Sequence, residues 1–95
     1  MTITKIESTD ENRGLEIEMF NSGCARIRSS WPVTLPRGST SIGTKLLSAA
    51  LEEGLEARRD EHRTSFFEAE TGNAWFYFHI AQSLGQIYLI AALLR

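Results

Sequence analysis

A run of 24 residues at positions 71–94 contains no Asp, Glu, Lys or Arg, although the preceding 70 residues carry 21 of the chain's 22 charged residues. Packing must shield such a stretch from water. About 20 apolar residues can cross a bilayer as one helix, but His79, Gln82, Ser83 and Gln86 fall in the middle, where polar groups are most costly. The sequence therefore predicts two shorter apolar segments joined by a polar turn, and no membrane association.

Length and composition restrict the class of protein. The 95 residues correspond to a single domain, residues 1–95. The single Cys24 excludes an internal disulfide framework, and no charged segment followed by an apolar one opens the chain. We therefore expect a cytoplasmic protein. A formal net charge of −2 provides no strong field to attract nucleic-acid phosphates or anionic lipid.

A first β-hairpin is predicted from residues 14–20 and 24–29, where apolar and charged residues alternate with period two. Gly23 in a left-handed conformation would close a three-residue loop. This register places opposite charges across from each other, Glu16 with Arg28 and Glu18 with Arg26. The other face carries Leu15, Ile17, Met19, Ala25 and Ile27.

A second hairpin is predicted from residues 64–70 and 74–81, and Gly72-Asn73 suits a two-residue type II′ turn. One face carries the apolar residues Phe67, Ala69, Phe76, Phe78 and Ile80. The opposite face, called the aromatic face below, consists of Phe66, Glu68, Glu70, Trp75, Tyr77 and His79.

The remaining segments complete the fold. Residues 87–93 are interpreted as a buried strand; the alternative is a terminal helix that starts near Ser83, because short apolar runs are ambiguous. Residues 2–7 could add an edge strand, and residues 30–38 an extended crossing segment. A helix is predicted over residues 41–61. Its apolar stripe comprises Leu46, Leu47, Ala50, Leu51, Gly54 and Leu55, and its candidate caps are Ser39, Thr40 and Ser41.

The fold class is therefore α+β: an antiparallel sheet of five or six strands with one amphipathic helix, in the order (β)ββ-α-ββ(β). A helix about 10 Å across covers about two strands spaced 4.8 Å apart. Either the sheet folds over on itself or another chain covers part of it.

No catalytic, cofactor or metal site is predicted. Residues 38–45 superficially resemble a phosphate-binding P-loop, but that motif requires Lys directly after its second Gly, and Thr44 intervenes here. Cys24, His62 and His79 lack the close spacing of metal ligands. His79 is interpreted as structural, because neither a nucleophile nor a second acid is placed near it.

The aromatic face is the candidate working surface. Rings on a strand can stack single-stranded bases, but Glu68 and Glu70 lie between these rings and would repel phosphate. The face either packs on the first hairpin as a second core layer or binds a partner. Mixed rings and carboxylates favour a partner surface, which is assigned to Phe66, Glu68, Glu70, Trp75 and Tyr77.

The sequence thus predicts a small non-enzymatic protein–protein interaction module, such as a stoichiometric inhibitor, an immunity protein or a mobile-element antagonist of a host complex. The alternatives are a single-stranded nucleic-acid-binding module and a small hydrolase or ligand-binding protein. A homodimer is also expected, because an uncharged strand at residues 87–93 lacks the Lys or Pro that discourages pairing between sheet edges.

Overall fold

The computed structural model describes residues 4–6, 13–35 and 42–95. In these residues the strands are β1 (Thr4–Ile6), β2 (Leu15–Met19), β3 (Cys24–Ser29), β4 (Val33–Thr34), β5 (Leu55–Arg59), β6 (Phe66–Glu70), β7 (Ala74–Ala81) and β8 (Gln86–Leu94), and the helix is α1 (Ile42–Glu53). The strands form one sheet in the order β1-β2-β3-β5-β6-β7-β8-β4. All pairs are antiparallel except β4 with β8.

The α+β class with one helix is confirmed, whereas the strand count and the purely antiparallel sheet are not. Eight strands form instead of five or six. The two additional strands are β4, which lies within the predicted crossing segment, and β5. The predicted edge strand is present as β1. Residues 2, 3 and 7, the cap candidates at 39–41 and the first half of the P-loop-like segment (residues 38–41) lie outside the described residues.

The predicted helix is wrong in its second half. α1 ends at Glu53, and Gly54 follows with φ of +105°, a left-handed value that glycine adopts without steric cost. The Gly54 amide donates back to the carbonyl of Ala50 at 3.0 Å, which closes the last turn. Residues 55–59 then form β5 between β3 and β6, with alternating buried and exposed side chains. Leu55 therefore contributes to the core as a residue of the sheet and not of the helix.

Both hairpin registers are confirmed. β2 pairs with β3 so that Glu16 lies opposite Arg28 and Glu18 opposite Arg26, and the loop carries Gly23 at φ +79°. β6 pairs with β7 from Phe66 opposite His79 to Glu70 opposite Trp75. The predicted type II′ turn is wrong, because it needs a positive φ at Gly72, which Gly72 does not have. The Thr71 hydroxyl instead accepts hydrogen bonds from the amides of Asn73 (3.2 Å) and Ala74 (3.1 Å).

The C-terminal segment is a strand, as predicted, and not a helix. β8 pairs with β7 along its whole length, and Gly85 in the left-handed region (φ +63°) precedes it. A bulge between Tyr77 and Phe78 leaves Ile90 as an extra residue in β8. Beyond Tyr88, no strand among the described residues pairs with the other edge of β8.

The sheet curls around the helix, which resolves the mismatch between one helix and many strands. α1 contacts β3 and β5 on one side and β4 and β8 on the other, although β3 and β8 are far apart in the strand order. The concave face and α1 form one core. Its largest fully buried side chains are Phe67, Phe76, Phe78, Leu15, Ile27, Leu47, Leu51, Ile87 and Leu89. No second chain is needed to cover this face, so one reason for expecting a dimer is removed.

Candidate partner-binding face

The five residues assigned to the partner surface lie together on the convex face of the β6–β7 hairpin. The register sets Glu68 beside Tyr77 and Glu70 beside Trp75. Phe66, Trp75 and Tyr77 are half-buried and the two glutamates are exposed. None of them belongs to the core. The alternative of a second core layer is contradicted, because the first hairpin lies in the same sheet and cannot cover this face.

One part of the aromatic face is a cluster of stacked rings. The Phe66 ring lies 5.7 Å from the Tyr77 ring and 4.4 Å from the His79 imidazole, centroid to centroid. The Arg63 guanidinium lies 5.2 Å from the Phe66 centroid, within the range of a cation–π contact. Tyr88 extends the cluster, with its ring 6.2 Å from that of His79. The ring cluster is therefore partly covered by Arg63, which lies in the turn between β5 and β6.

Asp60 fixes this turn against the ring cluster. Its carboxylate accepts a 2.6 Å hydrogen bond from the Tyr77 hydroxyl and a 2.8 Å bond from the His62 amide. These bonds, the Tyr77 bond foremost, lower the pKa of Asp60 below its usual 3.8. The same bond raises the pKa of Tyr77 above its usual 10.0, because it stabilises the protonated phenol beside a negative charge. The turn between β5 and β6 is thus held to the hairpin by a charge-assisted bond.

The other part of the aromatic face borders a cleft of about 420 Å³ between β5 and β6. The cleft exists because these strands pair only at Arg58 with Glu68 and at Arg59 with Phe67. Beyond Glu68, no described strand pairs with the edge of β6 that faces β5. Trp75 forms one wall, and its indole N–H donates to a Glu68 carboxylate oxygen at 3.3 Å. Small buried alanines form the floor, namely Ala25, Ala57 and Ala69.

Two ion pairs lie at the rim of the cleft. Arg26 lies 3.4 Å from Glu56, and Arg95 forms a short ion pair with Glu70. All four side chains are more than half exposed, so each pair contributes little to stability. Glu18 lies opposite Arg26 across the hairpin, as predicted, but the Arg26 side chain pairs with Glu56 of β5 instead. The rim of the cleft therefore carries both signs of charge.

Sequence reasoning missed two features of this region. It placed Glu56 and Arg58 on the helix, away from Trp75; the period-two alternation after Gly54 was the available signal. It also placed no nucleophile near His79, whereas the Ser65 hydroxyl lies 3.3 Å from the His79 Nδ1. The available signal was the predicted register, which continues from Phe66 opposite His79 to Ser65 opposite Ile80, next to His79; the Ile80 amide donates to the Ser65 carbonyl.

The Ser65–His79 contact lacks other parts of a catalytic arrangement. No carboxylate of a described residue hydrogen-bonds the His79 imidazole, so none of these residues takes the part of the acid in a Ser-His-Asp triad. Groups of three or more potential metal ligands do not occur in residues 4–6, 13–35 and 42–95. Cys24 is half-buried and lines the cleft.

Comparison with known proteins gives no match: no family model, curated protein or solved structure is significantly similar to this chain. Within the described part, α1 has 12 residues and no helix is long and apolar enough to cross a membrane.

Proposed function

We propose that this protein is a non-enzymatic interaction module that binds another protein through the aromatic face. In this role it would act as a stoichiometric inhibitor, an immunity protein or an antagonist of a host complex. The observation that carries the proposal is the half-buried Trp75 in the wall of the β5–β6 cleft. Trp is enriched among the residues that dominate binding energy, particularly beside a pocket that a partner can fill.

The surroundings of Trp75 fit the anatomy of a protein interface. The cleft floor is apolar, and the rim carries exposed Glu56, Arg58 and Glu70. A partner side chain that enters the cleft would lose contact with water, while the charged rim would remain hydrated. The adjacent ring cluster around Phe66 extends the apolar area along the same hairpin.

The rival functions receive weaker support. Single-stranded nucleic acid would meet the carboxylates of Glu56, Glu68 and Glu70 at the cleft, and these repel phosphate. A hydrolase would need an oriented base, and the hydrogen bonds of the His79 imidazole to described residues are limited to Ser65.

The proposal is tested with three matched versions of the chain as affinity baits: the wild type, Trp75→Ala and Arg28→Ala. Arg28 is an exposed residue on the convex face of β3, away from the cleft. A true partner should be retained by the wild type and by Arg28→Ala and lost with Trp75→Ala. Equal retention by all three baits would refute the aromatic face as the binding site.

We also propose that the protein forms a homodimer through the open edge of β8. This edge is uncharged, and the large apolar side chains Ile90, Leu93 and Leu94 are 46%, 66% and 48% exposed. The Arg95 amide donates to the Asn73 carbonyl. Along an antiparallel strand, the N–H and C=O groups of successive residues point alternately to its two sides. Those of Ala92 and Leu94 therefore point away from β7. A second copy can pair with them about a two-fold axis.

Sedimentation across a concentration series tests the dimer. Leu93→Lys should shift the equilibrium to the monomer, whereas Leu84→Lys, which alters an equally exposed leucine (65%) in the turn before β8, should leave it unchanged. Amide hydrogen exchange at Ala92 and Leu94 should slow as concentration rises. A wild-type monomer at high micromolar concentration rejects the dimer, and a dimer without this protection rejects the β8 edge.

A further inference from the structure

A second cavity, distinct from the β5–β6 cleft, opens at the end of the curled sheet. It has a volume of about 780 Å³ and lies between β2 and the turn that joins β7 to β8. This volume is within the range of small-molecule sites in proteins. Its apolar walls are formed by Ile17, Phe67 and Ile80, which also belong to the core, and by Leu84 at the mouth.

One arginine, Arg59, also lines this cavity. Residues of β5 alternate between the two faces of the sheet, so Arg59 shares the concave face with Leu55 and Ala57, while Arg58 is on the convex face. The Arg59 guanidinium lies 6.0 Å from the centroid of the inward-facing Phe67 ring. Its neighbour Arg58 borders the other cleft, so the two arginines face different sites.

The Arg59 side chain lacks an anionic partner in the described structure. Its Nε is buried and makes no hydrogen bond with a described residue. No Asp or Glu is among the described residues that line the cavity. Burying an unpaired polar group such as this Nε is unfavourable. An anion bound at Arg59 would remove this penalty, and a carboxylate matches the planar guanidinium with two parallel bonds.

Polar side chains also line the cavity, among them Thr64, Ser65 and His79. Ser65 lines the rim beside His79, to which it is hydrogen bonded. Leu84, which also lines the cavity, is 65% exposed. The walls therefore suit an apolar chain or ring, and Arg59 suits its acidic head.

We infer that this cavity binds an amphiphilic carboxylate, with the acid at Arg59 and the apolar body against Ile17, Phe67, Ile80 and Leu84. The acid could belong to a small amphiphile or to the carboxyl terminus of a peptide with an apolar last residue. The cavity shares His79 with the aromatic face but shares no lining residue with the Trp75 cleft, and the inference does not depend on the proposed partner.

Octanoate and 1-octanol test the inference, because they share an apolar chain and differ in the acid. In a titration followed by backbone amide resonances, octanoate should shift residues that line the cavity and bind at least 10-fold more tightly than octanol. Arg59→Gln should remove that preference and leave octanol binding unchanged. Arg58→Gln, the matched change on the other face of β5, should alter octanoate binding less than 2-fold.

Controls separate binding from folding. Arg59→Gln breaks no hydrogen bond of the Nε to a described residue, so its melting temperature should stay close to that of the wild type. The wild-type comparison of octanoate with octanol requires no variant and remains decisive if Arg59→Gln does not fold. Equal binding of the two probes, shifts confined to other regions, or an equal loss in Arg58→Gln would overturn the inference.

A peptide arm distinguishes the two sources of the acid. A short peptide that ends in a free Leu carboxylate is compared with the same peptide ending in an amide. Cavity shifts with octanoate and not with the free-acid peptide identify a small amphiphile as the ligand. Shifts with the free-acid peptide, absent with its amide, identify a carboxyl terminus. If neither probe produces cavity shifts, the site does not bind carboxylates.

Discussion

The two hairpins β2–β3 and β6–β7 are built alike on their concave faces and differ on their convex faces. Both bury alternate apolar side chains in one core. On the convex face, β2–β3 presents exposed charges such as Glu16, Arg26 and Arg28. β6–β7 presents half-buried rings, a hydrogen-bonded turn and a cleft. Solvated charges require no partner, whereas a half-buried ring beside an open cleft retains apolar area that a partner can cover.

Substitutions in the core beneath the two hairpins should lower the free energy of unfolding more than substitutions on either convex face. Phe78→Ala should destabilise the protein by about 3–5 kcal/mol, because Phe78 is fully buried and its removal leaves a large cavity. Ile27→Val on the first hairpin should cost about 0.5–1.5 kcal/mol, because it removes one methylene. Urea unfolding measures both losses. A small loss for Phe78→Ala would mean that the second hairpin does not share the core.

On the convex faces, Trp75→Ala separates binding from folding. Because Trp75 is only half-buried, the substitution should lower stability by less than the 3–5 kcal/mol typical of a core aromatic. It should weaken partner binding by about 2 kcal/mol or more if Trp75 is a hot spot. Thermal unfolding measures the first effect before any partner is known. A core-sized loss of stability would contradict the proposed role of the second hairpin.

The Asp60–Tyr77 bond predicts a pH dependence specific to the second hairpin. The pKa of Asp60 is lowered, so the bond stabilises the fold above the usual carboxyl pKa, and this contribution is lost as the pH falls through the folded-state value. The pKa of Tyr77 is raised, so its contribution is present below the usual phenol pKa and lost as the pH rises through the folded-state value.

Tyr77→Phe should therefore raise the pKa of Asp60 towards 3.8. Carbon-detected NMR titration of the Asp60 carboxyl group measures the shift. Part of the lowering should persist, because the His62 amide still donates to the carboxylate. Tyr88→Phe, which alters the other tyrosine of the chain, should leave the Asp60 titration unchanged. An unaltered Asp60 pKa in Tyr77→Phe would show that the bond does not hold the turn in solution.

The smallest expected effect concerns the charges of the first hairpin. Arg26 lies 3.4 Å from Glu56 of β5, while Glu18 is its cross-strand neighbour. Double-mutant cycles should give coupling of a few tenths of a kcal/mol for Arg26 with Glu56. The coupling of Arg26 with Glu18 should be smaller. The reverse order would mean that Arg26 turns towards β2 in solution.

Much of the sheet could be predicted because the alternation of apolar and polar residues along a strand is visible in a short stretch of sequence. In both hairpins the period-two pattern set which side chains face the core, and a one-residue shift would have exposed them. The strand at residues 87–93 was also anticipated. Residues 55–59 were not, because their apolar positions continued the helical stripe. The period-two alternation after Gly54 was the one local signal for a strand, and the left-handed Gly54 and the place of this segment between β3 and β6 also favour it.

The sequence by itself determined the α+β class, the hairpin registers and the shared face of Phe66, Glu68, Glu70, Trp75 and Tyr77, since these depend on neighbours along the chain. Tertiary structure decided how the sheet curls around α1, which strands splay to leave a cleft at Trp75, and which arginine of β5 faces the inner cavity. These features depend on contacts between segments far apart in the sequence. No local pattern encodes the distance between such segments, because it results from packing the whole core at once.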